Sequence, residues 1–213
     1  MPKAAAIALA GILSSSALLS HWPHQRLGLV CRPDIVVARS PQITSYASRP
    51  CRPGDTDRQP AVAIDLSADE RTILADLNRI RAAHGLSLLV IDSACEIAAR
   101  QHSTEMCHLC YFDHYSPTSG VETPIERYRY ALRLCKLQPR GNYIVGENLY
   151  RASHEPDDVD LCMRALMASE PHRVNILDPE FDRVGIGAYR DSQGSFWVTQ
   201  VFLGERAQQY VSQ

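Results

Sequence analysis

Apolar residues recur at three- and four-residue steps through the middle of the chain and gather into extended runs toward its end. Ser67-Ala68-Asp69-Glu70 has the form of a capping box, in which Ser67 bonds the amide of Glu70 while Glu70 reaches back. Leu74, Leu77, Ile80 and Arg81 follow at helical spacing, and Gly85 supplies a left-handed stop. A second helix is predicted from near Asp92 to about Cys107. Cys95, Ala98, Ala99, His102 and Met106 form one stripe of it, because such steps return to the same face. Thr123-Pro124-Ile125-Glu126 announces a third helix, with a capping box and proline at the first helical position, carrying Tyr128, Ala131 and Leu132. A fourth spans about Asp157 to Ala168, its first turn acidic where the helix dipole favours negative charge.

Strand signals come later. Tyr143-Ile144-Val145 leads into Gly146, and Leu149-Tyr150 follows Glu147-Asn148. Val184 to Tyr189 and Phe196 to Phe202 are extended runs joined by Asp191-Ser192-Gln193-Gly194, a hairpin turn. About four helices and about three antiparallel strands define an α+β domain over residues 67–206, with a short tail at 207–213.

The remainder of the chain is of another kind. Lys3 precedes an apolar run from Ala4 to Leu19, broken by Gly11 and serines, which reads as a secretory signal over residues 1–20. Ser15-Ser16-Ala17 places small residues where a signal peptidase reads, so no transmembrane anchor is expected after cleavage. Residues 21–66 form a Pro/Arg-rich linker: six of the chain's 13 prolines fall between His21 and Pro60, and so little apolar surface cannot offset the entropy of ordering. A net charge of -2 gives no sign of a nucleic-acid partner.

Three segments carry chemistry. They are Phe112-Asp113-His114-Tyr115-Ser116-Pro117, then Gly146-Glu147-Asn148, then Ser169-Glu170-Pro171-His172-Arg173-Val174-Asn175. Their order and wording resemble the CAP/SCP superfamily of cysteine-rich secretory proteins, antigen 5 and pathogenesis-related proteins, and its bacterial branch in particular. The resemblance covers roughly residues 67 to 206. It implies an α-β-α sandwich with His114, Glu147 and His172 sharing one cleft, and a fourth group, often a glutamate, completing a tetrad there. Ser169 stands where the bacterial pattern has serine, and Glu170 beside it is the candidate fourth carboxylate. Pro171 replaces a glycine of that pattern, and Leu166 a frequent tryptophan.

Two imidazoles and a carboxylate suffice for an open zinc-like site, so His114, His172 and Glu147 are the candidate metal ligands, and the cofactor is a divalent ion such as zinc or none. Two functions follow. One is an extracellular binding module for a metal, a lipid, a wall fragment or a protein. The other is a metal-dependent hydrolase with Glu147 as general base. The absence of H-E-x-x-H and G-x-S-x-G favours the binding module. Plainer roles stand beside these. Glu147 and Asn148 can anchor a strand, Arg127 can pair with a carboxylate, His102 fits a satisfied core histidine, and Arg173 and Asn175 can tie a short helix to its neighbours. Seven cysteines in an exported chain imply disulfides. Cys31 and Cys51 would close a loop in the linker, Cys107 or Cys110 is expected to bridge to Cys135, and Cys95 to stay a buried thiol.

Overall fold

The computed structural model describes residues 65–139, 141–153 and 158–206. The export segment, nearly all of the linker with Cys31 and Cys51, and the tail lie outside them.

The two capping boxes form as expected. α1 (Ala68–Ala83) starts with Ser67 Oγ accepting from the Glu70 amide and Glu70 accepting from the Ser67 amide, and α3 (Pro124–Cys135) repeats the arrangement with Thr123 and Glu126. α2 (Ser93–His108) is capped by Asp92, whose Oδ1 accepts from the amides of Ala94 and Cys95. After α4 (Asp158–Ala168) a separate short helix, α5 (Glu170–Ile176), begins at the N-cap Ser169. Pro171 suits its first turn, where no intrahelical amide donor is needed.

The strands are β1 (Val90–Ile91), β2 (Asn142–Ser153), β3 (Arg183–Arg190) and β4 (Ser195–Arg206), in the sheet order β1-β3-β4-β2. Sequence reasoning anticipated about three antiparallel strands; the sheet has four, because the two-residue β1 adds to β3 in parallel. So short an element carries no periodicity to read. β2 also runs unbroken through Gly146-Glu147-Asn148, paired with β4 over its whole length, Glu147 opposite Val201 and Asn148 opposite Gln200.

Alternation on β4 builds two cores. Phe196, Val198 and Phe202 join Ile73 and Leu77 of α1, Leu166 of α4 and Ile176 of α5 on one side. Val201 and Leu203 join Ala94, Ala98, Ala99, Tyr128 and Leu132 of α2 and α3 on the other. Helices thus cover both faces of the sheet. Each of the larger fully buried side chains stabilises the fold by roughly 2 kcal/mol. The seam between α2 and β3 is tight: a Cβ at Gly185 would lie 2.0 Å from the Cys95 carbonyl carbon, and one at Gly187 2.3 Å from that of Ala99. Arg81, fully buried, holds the turn after α1 through the Ser87 carbonyl and ties α1 to the end of α5 and the chain beyond it by donating to the carbonyls of Ile176, Asp178 and Phe181.

The expected Cys107/Cys110–Cys135 bridge is absent, and none of the five cysteines among the described residues is joined to another. Topology explains the correction. Cys107 packs with Met106, Leu149 and Trp197 and lies 4.0 Å from Asp191 of the β3–β4 turn. Cys135 sits one turn past Leu132, which packs with Tyr143. Tyr143 and Leu149 are six positions apart on β2, roughly 20 Å, whereas a disulfide needs Cα atoms within about 7 Å. Cys95 is buried on α2 as anticipated, and burial pushes its thiol well above the usual range.

Candidate functional site

β2 is an edge strand of the sheet, and the three motif segments meet on it. Gly146 opens the way. A Cβ there would approach Phe181 Cζ to 2.8 Å and Asn175 Oδ1 to 3.3 Å, so a larger residue would push α5 and the chain after it away from the strand. Asn148 and Asn175 fasten that contact. Asn148 Nδ2 donates to the His172 carbonyl at 3.1 Å and to Gln200 Oε1 at 3.2 Å, while Asn175 Nδ2 donates to Asn148 Oδ1 at 2.9 Å and to the Glu147 carbonyl at 3.1 Å. These two residues therefore position α5, the plainer role weighed for Asn175; Asn148, expected to anchor a strand start, lies inside β2 instead. Arg173 likewise binds within the helix pair, donating to the Met167 carbonyl.

Glu147 points to the opposite face of the strand, toward α2 and α3. It is fully buried, and Arg127 Nη2 donates to its Oε1 at 2.9 Å and its Oε2 at 2.7 Å. The same guanidinium donates to the carbonyls of His114, Val121 and Glu122, which clamps the loop that carries His114. Arg127 has the carboxylate partner expected of it. His102, also fully buried, holds the neighbouring carbonyl of Asp113 at 3.0 Å, so it is a satisfied core histidine, as anticipated, and it also positions the loop that carries His114. Burial pushes its pKa down, with Glu147 opposing in part.

Burial alone would raise the Glu147 carboxyl. The positive charge of Arg127, with His102 and His114 adding to it, outweighs that and holds the group down at about 2. The ionised carboxylate can only accept hydrogen bonds, which determines the state of its partner. His114 Nδ1 lies 2.8 Å from Glu147 Oε1 and must carry a proton toward it, which assigns the lone pair of the neutral imidazole tautomer to Nε2. That Nε2 is buried without a hydrogen-bond partner, and so are both ring nitrogens of His172. Burial pushes His172 down, and the proximity of His114 pushes it further, so its neutral form is favoured.

The structure therefore brings His114, Glu147 and His172 to one place but gives them unequal parts. The three-ligand metal set anticipated from the motifs does not form: among the described residues no group of three or more His, Cys, Asp or Glu side chains is arranged to hold an ion. The physical reason is that Arg127 and His114 already occupy the Glu147 oxygens. Ser169 is half-buried at the α5 N-cap with no side-chain cap bond, and Glu170 is exposed on the first turn of α5. Leu166 fills core space, 2 % exposed. Sequence reasoning placed Arg81 on a helical stripe without a role; a lone cation among buried apolar positions was the available signal.

Residues 74–202 match the CAP family, the cysteine-rich secretory proteins. The chain is 36 % identical over 140 residues to the Bacillus subtilis (strain 168) protein YkwD, described as uncharacterized, in a match covering 66 % of this chain and 49 % of YkwD. An extracellular SCP-domain protein of Bacillus anthracis has a similar structure, with 28 % identity and a TM-score of 0.51 over 68 % of this chain and 45 % of that one. An outer surface protein of Borrelia burgdorferi shares the fold at 17 % identity and a TM-score of 0.51, covering 68 % of this chain and 97 % of its own. The chain belongs to the CAP family. It spans about half the length of the curated relative it matches. No helix among the described residues is long and apolar enough to cross a membrane.

Proposed function

We propose that this chain is an exported CAP-family binding module whose paired imidazoles, His114 and His172, take a ligand at the β2 edge, with a divalent cation such as zinc as the first candidate. One observation carries the reading: three imidazole nitrogens, His114 Nε2 and both of His172, are buried with nothing to bond. Buried polar atoms are rarely left so, and neutral ring nitrogens are the donors a borderline ion such as zinc takes. His114 and His172 would hold the ion, and the remaining positions would fall to solvent or to a bound partner. A zinc ion there would supply a positive centre able to accept an oxygen or nitrogen ligand. Glu147 acts behind it, fixing the His114 tautomer. Export is supported by the apolar run at residues 4–19 and by an extracellular relative of similar structure.

The hydrolase alternative asks Glu147 to take a proton from water. A carboxylate held at about 2 is a weak base near neutrality, where a general base works best with a pKa close to the operating pH. Its oxygens are also engaged by Arg127 and His114. The binding reading is therefore the stronger. Competition for zinc against a chromophoric chelator tests it: His172→Ala, and His114→Ala separately, should each weaken zinc binding at least about tenfold. Wild-type affinity in both variants would refute the reading.

A further inference from the structure

A cavity of about 450 Å³ lies between α2, α3 and the 118–121 loop; it shares His102 and Arg127 with the site just described, but His114, Glu147 and His172 are not on its lining. Gln101, His102, Glu105, Thr118, Arg127 and Tyr130 are among its lining residues. Its size is in the range that takes a small organic molecule. The charges around it nearly cancel. Arg127 is matched by Glu147, and the Glu105 carboxylate accepts hydroxyl hydrogens from Tyr111 at 2.5 Å, Ser116 at 2.9 Å and Thr118. Arg133, also on the lining, rests its guanidinium 5.6 Å from the Tyr130 ring centroid. Such a wall offers donors and acceptors in plenty and little net charge, so it does not select an ion.

Two features narrow the ligand. Arg127 is 2 % exposed, and its Nε is a buried donor without a partner. Tyr130 keeps 37 % of its surface exposed at the rim, a flat apolar ring beside the polar floor. A hydroxyl group both donates and accepts, so it can serve the amide of Gln101, the carboxylate of Glu105 and the orphan donor of Arg127 alike. A sugar ring presents hydroxyls around its edge and C–H bonds on its face, and that face suits an aromatic platform. We propose that the α2–α3 cavity is a carbohydrate site for a neutral mono- or disaccharide, with Tyr130 under the ring and Gln101, Glu105 and Arg127 on its hydroxyls.

The test is an amide-resolved NMR titration of the whole chain with glucose, galactose, mannose and N-acetylglucosamine, and with cellobiose and chitobiose. At least one of these should give saturable shifts at Gln101, residues 118–121 and Tyr130, with millimolar affinity. Tyr130→Ala and Gln101→Ala sit on exposed positions, so the fold should survive, and each should weaken that binding about tenfold. Any of several results would overturn the proposal. These are no saturable shift with any of the sugars up to about 50 mM, an unchanged response in Tyr130→Ala, or equal shifts from acetate, which would mark an ionic site. Shifts confined to His114 and His172 would return the ligand to the cleft and equally sink it.

Discussion

Glu147 and Glu96 are both fully buried carboxylates reached from the same helical layer, yet their surroundings drive them in opposite directions. Glu147 faces the Arg127 guanidinium and two histidines, and sits at about 2. Burial pushes the Glu96 carboxyl up to about 7. The backbone amide of Ile186, donating to Oε2 at 2.7 Å, opposes that rise, while the nearby charge of Glu70 adds to it. Arg100 stands 3.0 Å from Glu96 Oε1 but outside hydrogen-bond alignment, and its well-aligned bonds go to Glu70 instead. One cation shared between two acids cannot do for Glu96 what a dedicated one does for Glu147. Burial sets the stakes for a carboxylate, and the count of dedicated cations decides its charge.

Removing the dedicated cation should have the largest effect. Arg127→Met leaves an uncompensated buried charge, and urea unfolding should show a loss of about 3–5 kcal/mol. Adding Glu147→Gln to that variant should return part of the loss. A double variant no more stable than Arg127→Met alone would mean that the clamp on the His114 loop, and not the ion pair, carries the effect.

Next comes acid. A carboxyl lowered from its ordinary 4.5 to about 2 contributes stability that is present above 4.5 and lost as pH falls from 4.5 through 2. The shift corresponds to about 3 kcal/mol at one Glu147 site. Acid titration of stability should therefore be steeper in wild type than in Glu147→Gln across that window. Parallel curves would contradict the assignment.

Glu96 should show the reverse sign. Its raised carboxyl leaves stability fully present below pH 4.5 and lost as pH rises from 4.5 through 7. Glu96→Gln removes that loss, so it should stabilise the protein by about 1–3 kcal/mol at pH 8. The gain should vanish near pH 4.5. A Glu96→Gln protein less stable than wild type at alkaline pH would break the comparison.

The smallest effect is expected from Arg100→Gln. The Arg100 side chain is 38 % exposed, so solvent screens its pull on the buried Glu96 carboxylate, to which it makes no aligned hydrogen bond. Carboxyl NMR should still show Glu96 titrating higher than in wild type. An unchanged value would mean that Arg100 does not reach it.

These contrasts also mark what could be read from the chain beforehand. Ser67 and Thr123 act on amides three residues away, so their helices were legible, as was the hairpin turn at Asp191-Gly194. His114, Glu147 and His172 stood out through their motif segments. Which residue would silence Glu147 did not, because Arg127 is 20 positions away and only the crossing of α3 over β2 joins them. The length of β2 was hidden by the polar Glu147-Asn148 pair inside it. Those residues look like a break until Arg127 and Asn175 are in place to receive them. The cysteine expectation failed for a related reason: residue type is local, but the distance between α2 and α3 ends is set by the sheet.

The glycine seam between α2 and β3 has a consequence for anyone re-engineering this scaffold. With Gly185 and Gly187 facing Cys95 and Ala99 backbone to backbone, α2 has no slack in which to slide or roll. The helix is in effect a fixed mount, and His102, bolted to it, is where the Asp113-His114 segment is hung. Loop grafts are therefore best confined to the exposed turn between Thr118 and Val121, since Ser116, buried and bonded to Glu105 and Glu122, helps hold the His114 loop, and Arg127 keeps its far end.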